Sequence, residues 1–213
     1  MSDVVGVERK GQVVLITLNR PEARNAISPE MLVRLADAWT AVRDDPDIRV
    51  AVVTGAGDKA FCSGADLGRF IPLMSRARPP EDEWDRRLLA DGEMLGRGLL
   101  RTFDVVKPVI AAINGHAIAG GMELAQGTDL RVASESAKLG VQEVKWAIFP
   151  AGGSTVRLPR QIPYARAMEL LLTGDLITAA EALELGFLNR VVPQADVLPT
   201  ALDLAERIAA ALA

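Results

Sequence analysis

One stretch decides the fold: VVKPVIAAINGHAIAGGMELAQGTDLRVASE, residues 105–135. Its first part, 105–114, is mostly apolar and predicts a buried strand. Paired glycines then open a short helix within GGMELAQGT, residues 120–128, and DLRVASE, residues 129–135, predicts the next strand. A strand, a helix and a second strand in succession predict an α/β protein.

The same alternation continues upstream of this stretch. VVLITL, residues 13–18, and RVAVVTG, residues 49–55, predict strands because they are rich in β-branched residues. Between them, apolar residues recur at helical spacing and predict a helix over 29–44. Ser28 and Pro29 stand where an N-cap and a first helical residue are expected.

The remainder of the chain follows the same pattern and indicates one domain. A glycine-rich loop is expected over 55–70, and the polar segment 75–95 leads into a helix predicted at about 82–103. The expected later elements are a short extended segment at 137–145, a helix opened by 149–160, glycine-terminated helices at 164–174 and 178–186, a strand at 188–193 and a terminal helix.

Composition excludes several classes of protein. The chain has 213 residues, about half of them apolar, and a net charge of −4, which gives no basic footprint for nucleic acid. Cys62 is the single cysteine, so a disulfide within the chain and a cysteine-rich metal site are excluded. No window has the roughly twenty apolar residues of a membrane span. We therefore expect a cytoplasmic protein with no membrane or nucleic-acid partner.

Signals for a dinucleotide-binding turn, for nucleophilic catalysis and for a metal site are weak or absent. Gly55 and Gly57 follow a strand as in a dinucleotide-binding turn, but no helix opens directly after them. Ser63 and His116 lack the G-x-S-x-G context of a hydrolase, and Cys62 is more typical of a small core residue than of a nucleophile. The carboxylates and the single histidine do not have the spacing of metal ligands, so no metal is expected.

Two glycine-bearing loops and two glutamates give a stronger signal. CSGADL, residues 62–67, and AGGMEL, residues 119–124, contain small residues that allow the backbone to approach another group closely. Free N–H groups from two such loops would form an oxyanion hole for an acyl carbonyl. Glu123 and Glu143 lie among apolar residues, where desolvation should raise their pKa values toward the range of a general acid or base.

Four segments of the chain resemble the enoyl-CoA hydratase/isomerase (crotonase) superfamily, and most resemble an enoyl-CoA hydratase. They are LNRPEARNAIS, AVVTGAGDKAFCSGADL, KPVIAAINGHAIAGGMELA and FPAGGSTVRLPR, in family order from about residue 5 to the end. The resemblance implies a spiral of ββα units with a helical C-terminal part. It implies a spiral core over 1–195 and the start of a C-terminal helical region over 196–213, which we expect to be truncated.

The resemblance also implies the residues of the site. The acid/base pair falls on Glu123 and Glu143, and the two backbone N–H donors of the oxyanion hole fall on Ser63 and Gly120. Substrate or CoA contacts fall on Arg24, Ala26, Ser63, Gly64, Ala65, Asp66, Leu67 and Gly120.

The implied activity is the addition of water to a 2-trans-enoyl-CoA, which gives a 3-hydroxyacyl-CoA through a thioester enolate. CoA is then part of the substrate, no cofactor is needed, and a homo-trimer or hexamer is expected. Gln142, Ala147, Ala151 and Ser154 depart from the residues that the family commonly has there. A double-bond isomerase and a non-catalytic acyl-CoA-binding protein therefore stay open as alternatives.

Overall fold

The computed structural model describes residues 3–212, so residues 1–2 and 213 of the two predicted regions lie outside the described residues. In chain order, the strands are β1 (Val5–Lys10), β2 (Val13–Leu18), β3 (Val50–Gly55), β4 (Ala60–Cys62), β5 (Val109–Ile113), β6 (His116–Ile118), β7 (Leu130–Ser134), β8 (Lys138–Gly140), β9 (Ile177–Thr178) and β10 (Arg190–Val192). The helices are α1 (Pro29–Asp44), α2 (Phe70–Met74), α3 (Glu83–Ala90), α4 (Met94–Gly98), α5 (Gly120–Gln126), α6 (Ser154–Gln161), α7 (Tyr164–Thr173), α8 (Ala179–Glu184) and α9 (Val197–Ala211).

The strands form two sheets. The larger sheet has the order β1-β2-β3-β5-β7-β10, and the smaller sheet has the order β4-β6-β8-β9. Strands β2, β3, β5, β7 and β10 run parallel, whereas β1 pairs with β2 in antiparallel fashion. In the pairs β3–β4, β5–β6 and β7–β8, the first strand enters the larger sheet and the second enters the smaller one. This confirms the predicted α/β spiral of ββα units.

The larger sheet is covered on both faces. Val14 and Ile16 of β2 face the main core with α1, while Val13 and Leu15 face a second core with α9. Helix α9 contributes small side chains at four-residue spacing, Ala201, Ala205 and Ala209, so the helix can lie close to the strands. Burial of both faces explains why the central strands are almost continuously apolar in sequence.

The local signals at helix ends are confirmed. The Oγ of Ser28 accepts the N–H of Met31 at 3.2 Å, and Pro29 is the first residue of α1. Helix α7 ends at Gly174, whose left-handed backbone (φ 66°) is a conformation that glycine adopts without steric cost.

Several predictions of secondary structure were wrong. The single helix predicted over 82–103 is two helices, α3 and α4, because Asp91 adopts an extended backbone and its side chain accepts the N–H of Glu93. The loop predicted over 55–70 contains β4 and the start of α2. Strands β1, β6 and β9 were not predicted, because β6 and β9 are too short for an alternating pattern and β1 is largely exposed.

Candidate active site

Glu123 lies inside the protein because α5 packs closely against β4. A Cβ at Gly121 would lie 2.2 Å from the carbonyl oxygen of Cys62, so only glycine allows this approach. Helix α5 begins two residues after β6 ends, and this short connection directs its first turn inward. The Glu123 side chain is in consequence only 3% exposed.

Both carboxylate oxygens of Glu123 accept backbone N–H groups from the segment that enters α6. Gly152 donates to Oε2 at 2.9 Å, and Ser154 donates to Oε1 at 3.1 Å. A Cβ at Gly152 would lie 2.4 Å from Oε2, so glycine is required for this contact. The carboxylate is thus held in one orientation by two fixed donors.

Glu143 is in a different environment. It begins the 3₁₀ turn Glu143–Trp146 and is buried, and its Oε2 has no hydrogen-bond partner among residues 3–212. Burial raises the pKa of Glu143 to about 7, and the nearby charge of Glu123 adds to the rise. Burial also raises the pKa of Glu123, but the hydrogen bonds from residues 152–154 oppose that rise. The two carboxyl groups are therefore close enough to interact, and Glu123 has more donors for its ionised form than Glu143 has.

Two backbone N–H groups meet beside the first turn of α5. A Cβ built on Gly120 would lie 3.7 Å from the amide nitrogen of Ala65, and one built on Gly64 would lie 3.3 Å from the amide nitrogen of Gly120. Across the described part of the chain, neither the N–H of Ala65 nor that of Gly120 donates to a protein acceptor. These two amides come from separate loops and are available to a carbonyl oxygen.

The donor predicted at Ser63 needs correction. Its N–H is already used, because it donates to the carbonyl oxygen of Arg24 at 3.1 Å. Gly64 then has a positive φ of 95°, which turns the chain, and it is the amide of Ala65 that has no acceptor. The prediction placed the free donor two residues too early.

Ala119 occupies a backbone conformation that suits glycine. Its φ of 52° and ψ of −124° lie in a region that is costly for residues with a Cβ. This strained residue connects β6 to α5 and directly precedes the amide of Gly120. The strain thus lies at the point where the Gly120 N–H is oriented.

An ion pair joins the two segments predicted to contact CoA. Arg20 donates to Asp66 at 3.0 Å and to the carbonyl oxygen of Ala26 at 2.7 Å, and both charged side chains are mostly buried. The structure places Arg24 on the surface and Ala26 half-buried in the first segment. Leu67, in the second segment, is 52% exposed. Residues 24–26 and 63–67 therefore lie side by side, as predicted contacts with one ligand require.

Two arginines that sequence reasoning missed hold the segment before α6. Arg101 donates to the carbonyl oxygen of Ala151 at 2.7 Å, and Arg157 donates to the carbonyl oxygen of Leu100. The segment 150–154 that carries the donors of Glu123 is therefore fastened to the loop after α4. No local sequence signal marks these contacts, since they join residues about fifty positions apart.

Other sites are absent from the described part of the molecule. No group of three or more His, Cys, Asp or Glu side chains in residues 3–212 is arranged to hold a metal ion. Among the described helices, none is long and apolar enough to cross a membrane.

Known proteins have similar sequences, and solved structures have a similar fold. The profile of the enoyl-CoA hydratase/isomerase family matches residues 8–213. Enoyl-CoA hydratase EchA19 of Mycobacterium tuberculosis is 49% identical over 204 residues, which are 96% of this chain and 74% of that protein. The (E)-benzylidenesuccinyl-CoA hydratase of Thauera aromatica is 45% identical over 207 residues, 97% of this chain and 77% of that protein. The solved structure of carnitinyl-CoA hydratase from Mycobacterium avium matches with a TM-score of 0.85 at 42% identity, over 98% of this chain and 76% of that chain.

The α/β spiral and these matches define a crotonase-type protein. The chain belongs to the enoyl-CoA hydratase/isomerase family. The predicted family and fold class are thereby confirmed.

Proposed function

We propose that the protein adds water to the double bond of a 2-trans-enoyl-CoA to give a 3-hydroxyacyl-CoA. The observation that carries this proposal is the unequal pair of buried carboxyl groups. Glu123 has two donors for its ionised form, while Glu143 has an Oε2 without a partner in the described residues and a pKa near 7. A base and an acid in one pocket are what hydration requires.

In the proposed reaction, Glu123 is the base and Glu143 is the acid. Glu123 takes a proton from water while the water oxygen bonds to C3 of the substrate. The electrons of the double bond move into the thioester, and the enolate then takes a proton at C2 from Glu143. One water is added in total, and proton exchange with solvent returns the two carboxyl groups to their starting state.

The enolate oxygen is held by the N–H groups of Ala65 and Gly120. These two donors replace the predicted pair Ser63 and Gly120, since the N–H of Ser63 is engaged with Arg24. Backbone donors aimed at a developing oxyanion act in a water-poor site, where each is worth roughly 3–4 kcal/mol in the transition state. Arg24, Ala26 and residues 63–67 are proposed to contact the CoA part of the substrate.

The hydration of crotonyl-CoA, followed as loss of enoyl absorbance, tests the assignment. Glu123→Gln and Glu143→Gln are each expected to lower kcat by about 10²–10⁴-fold with a smaller change in KM. Glu184→Gln, which alters an exposed glutamate on α8, is the matched control. Near-normal hydration by both site variants would refute the roles proposed here.

A product assay with 2-enoyl-CoA and 3-enoyl-CoA, together with a measurement of acyl-CoA binding, separates the alternatives. An isomerase would convert 3-enoyl-CoA to 2-enoyl-CoA without giving the 3-hydroxy product. A binding protein would take up acyl-CoA tightly and turn over none of these thioesters. The presence of both buried glutamates favours hydration, because binding alone does not require a desolvated acid/base pair.

We also propose that copies of the chain associate, as a homo-trimer or hexamer. Near Glu143, the large apolar side chains Trp146 and Phe149 are 63% and 68% exposed. Exposed aromatic side chains of this size are typical of contact surfaces between subunits. Light scattering coupled to size exclusion tests the proposal, and a monomer at micromolar concentration would contradict it.

A further inference from the structure

A cavity of about 310 Å³ lies next to the segment that holds Glu123, and the proposed reaction gives it no role. It is lined by the loop after α4 and the first residue of β5, together with Gly127, Asp129 and Arg157. None of residues 24–26 or 63–67, the predicted CoA contacts, lines this cavity. Its volume is at the lower end of the range for small-molecule sites, so its ligand must be small.

Arg101 and Arg157 bring their side chains together in the wall of this cavity. A Cβ built on Gly153 would lie 3.3 Å from Cγ of Arg101 and 3.6 Å from Cδ of Arg157, so the two side chains lie side by side over that glycine. Arg101 uses one nitrogen to donate to the carbonyl oxygen of Ala151, and Arg157 uses two to donate to carbonyl oxygens directly after α4. Because a guanidinium has five N–H donors, each arginine keeps donors for a ligand.

The positive charge of these two arginines is not neutralised by residues 3–212. Neither guanidinium forms an ion pair with a carboxylate of that part of the chain. Asp104 and Asp129 also line the cavity, but each of them accepts a backbone N–H group. The third cation of the wall, Lys107, donates to carbonyl oxygens at the end of α1. Two cations with unused donors therefore share one small cavity.

Two guanidinium groups held this close repel one another. Burial lowers the pKa of Arg157; the carboxylate of Glu123 opposes that change, and the charge of Arg101 adds to it. An anion placed between the two arginines would remove this repulsion and use the remaining donors. Arginine is suited to this contact, since its planar fork gives two parallel N–H bonds to the oxygens of a carboxylate or phosphate.

We propose that Arg101 and Arg157 bind the phosphate group of a small ligand in this cavity. A phosphate monoester carries about −1.5 to −2 charges at pH 7, which matches two unpaired cations, whereas a carboxylate would neutralise only one. The phosphate could be inorganic or belong to a small phosphorylated metabolite, and both present the same dianionic group. This site is separate from the thioester pocket, and the inference does not depend on the proposed function.

Equilibrium dialysis with radiolabelled inorganic phosphate, at constant ionic strength set by sodium chloride, tests the site. The wild type is expected to bind one phosphate per chain in a saturable manner. Arg101→Met should raise the Kd about tenfold, because it removes charge-assisted hydrogen bonds to the ligand. Arg86→Met is the matched control, since it removes the same charge from an exposed position on α3 outside the cavity and should leave the Kd unchanged.

A variant that strengthens binding makes the test independent of any loss of stability. Asp104→Asn removes a negative charge from the cavity wall and keeps an oxygen for the N–H of Val106. It should lower the Kd roughly threefold, because one repulsive charge near the phosphate is gone. If Arg101→Met does not fold, this variant decides the question, and an unchanged Kd in Asp104→Asn would then overturn the assignment.

The remaining outcomes separate the sources of the phosphate. Tighter binding of glycerol 3-phosphate than of inorganic phosphate would support a phosphorylated metabolite as the ligand, and the reverse order would support the free ion. Displacement of phosphate by saturating CoA would overturn the claim of a separate site. No saturable binding, or equal Kd values in the wild type and Arg101→Met, would also overturn the proposal, while hydration of crotonyl-CoA by the same protein would stand or fall on its own assay.

Discussion

Gly152 donates its N–H to Oε2 of Glu123 at 2.9 Å, and a Cβ at position 152 would lie 2.4 Å from that same oxygen. Residue 152 must therefore both donate its N–H to Glu123 and lack a side chain. The segment before α6 comes close enough to orient the carboxylate only because residue 152 has no side chain. Arg101 and Arg157 fasten this segment from the other side, so it has little freedom to move away.

Gly152→Ala is expected to reduce hydration strongly. The added methyl must displace either the Glu123 carboxylate or the loop, and a misplacement of about 1 Å at a catalytic group costs on the order of 10²-fold in rate. The measurement is kcat for crotonyl-CoA. Gly92→Ala is the matched control, because a Cβ at Gly92 meets nothing within 4 Å. Equal activity of the two variants would contradict the role given to this contact.

Because the pKa of Glu143 is raised, Glu143→Gln is expected to stabilise the protein although it lowers activity. A carboxyl group whose pKa is raised in the folded state binds more protons when folded, so the free energy of unfolding falls as pH rises from about 4.5 to about 7. Glu143→Gln removes this loss and should stabilise the protein above pH 7 by up to about 3 kcal/mol. At pH 4 the variant and the wild type should unfold alike.

Urea unfolding at pH 4 and pH 8 measures this difference, with Glu184→Gln as the control that should show none. In the wild type, hydration should fall as pH rises through about 7, because Glu143 loses the proton that it donates. A Glu143→Gln variant that is no more stable than the wild type at pH 8 would show that the carboxyl group is not desolvated.

The strain at Ala119 predicts that glycine is more stable there. Ala119 has a φ of 52° and a ψ of −124°, where the steric cost of a Cβ is of order 1–3 kcal/mol. Ala119→Gly should therefore raise the free energy of unfolding by about 1 kcal/mol, because the extra entropy of glycine in the unfolded chain offsets part of the steric gain. Ala117→Gly, two residues earlier in β6, should instead destabilise the protein by about 1 kcal/mol. The denaturant midpoints of the two variants measure this difference. If both midpoints shift in the same direction, the assignment of strain to Ala119 is wrong.

The sequence alone predicted the elements whose signals are local. The cap at Ser28, the proline at the start of α1 and the terminal Gly174 are each specified by a few neighbouring residues, and all three are confirmed. Strands β4 and β6, of three residues each, have no such signal. They form because the smaller sheet pairs segments about fifty residues apart, and periodicity does not detect such pairing.

In the candidate site as well, residues with a local sequence signal were predicted and tertiary contacts were not. Glu123 and Glu143 are polar residues in apolar sequence, and the structure buries both of them. Which amide is free was not predictable, because it depends on the positive φ of Gly64 and on the contact between Ser63 and Arg24. Arg101 and Arg157 act through tertiary contacts, so sequence spacing gives no indication of them.

The ion pair of Arg20 and Asp66 predicts a last effect, on binding of the thioester. Arg20→Met removes the side-chain contacts from Arg20 to Ala26 and Asp66 that help to align residues 24–26 with residues 63–67, and it leaves the mostly buried Asp66 without its cation. We expect a loss of about 2–4 kcal/mol in the free energy of unfolding, because a charge left unpaired in a partly buried site is costly. We also expect a rise of roughly tenfold in KM for crotonyl-CoA, since misaligned segments lose about 1.4 kcal/mol of binding free energy.

The control is Arg166→Met, which breaks an ion pair with Glu169 whose side chains are 40% and 52% exposed. Surface pairs contribute about 0–1 kcal/mol, so this control should change neither quantity appreciably. An Arg20→Met enzyme with unchanged KM would show that the two segments do not contact the substrate together.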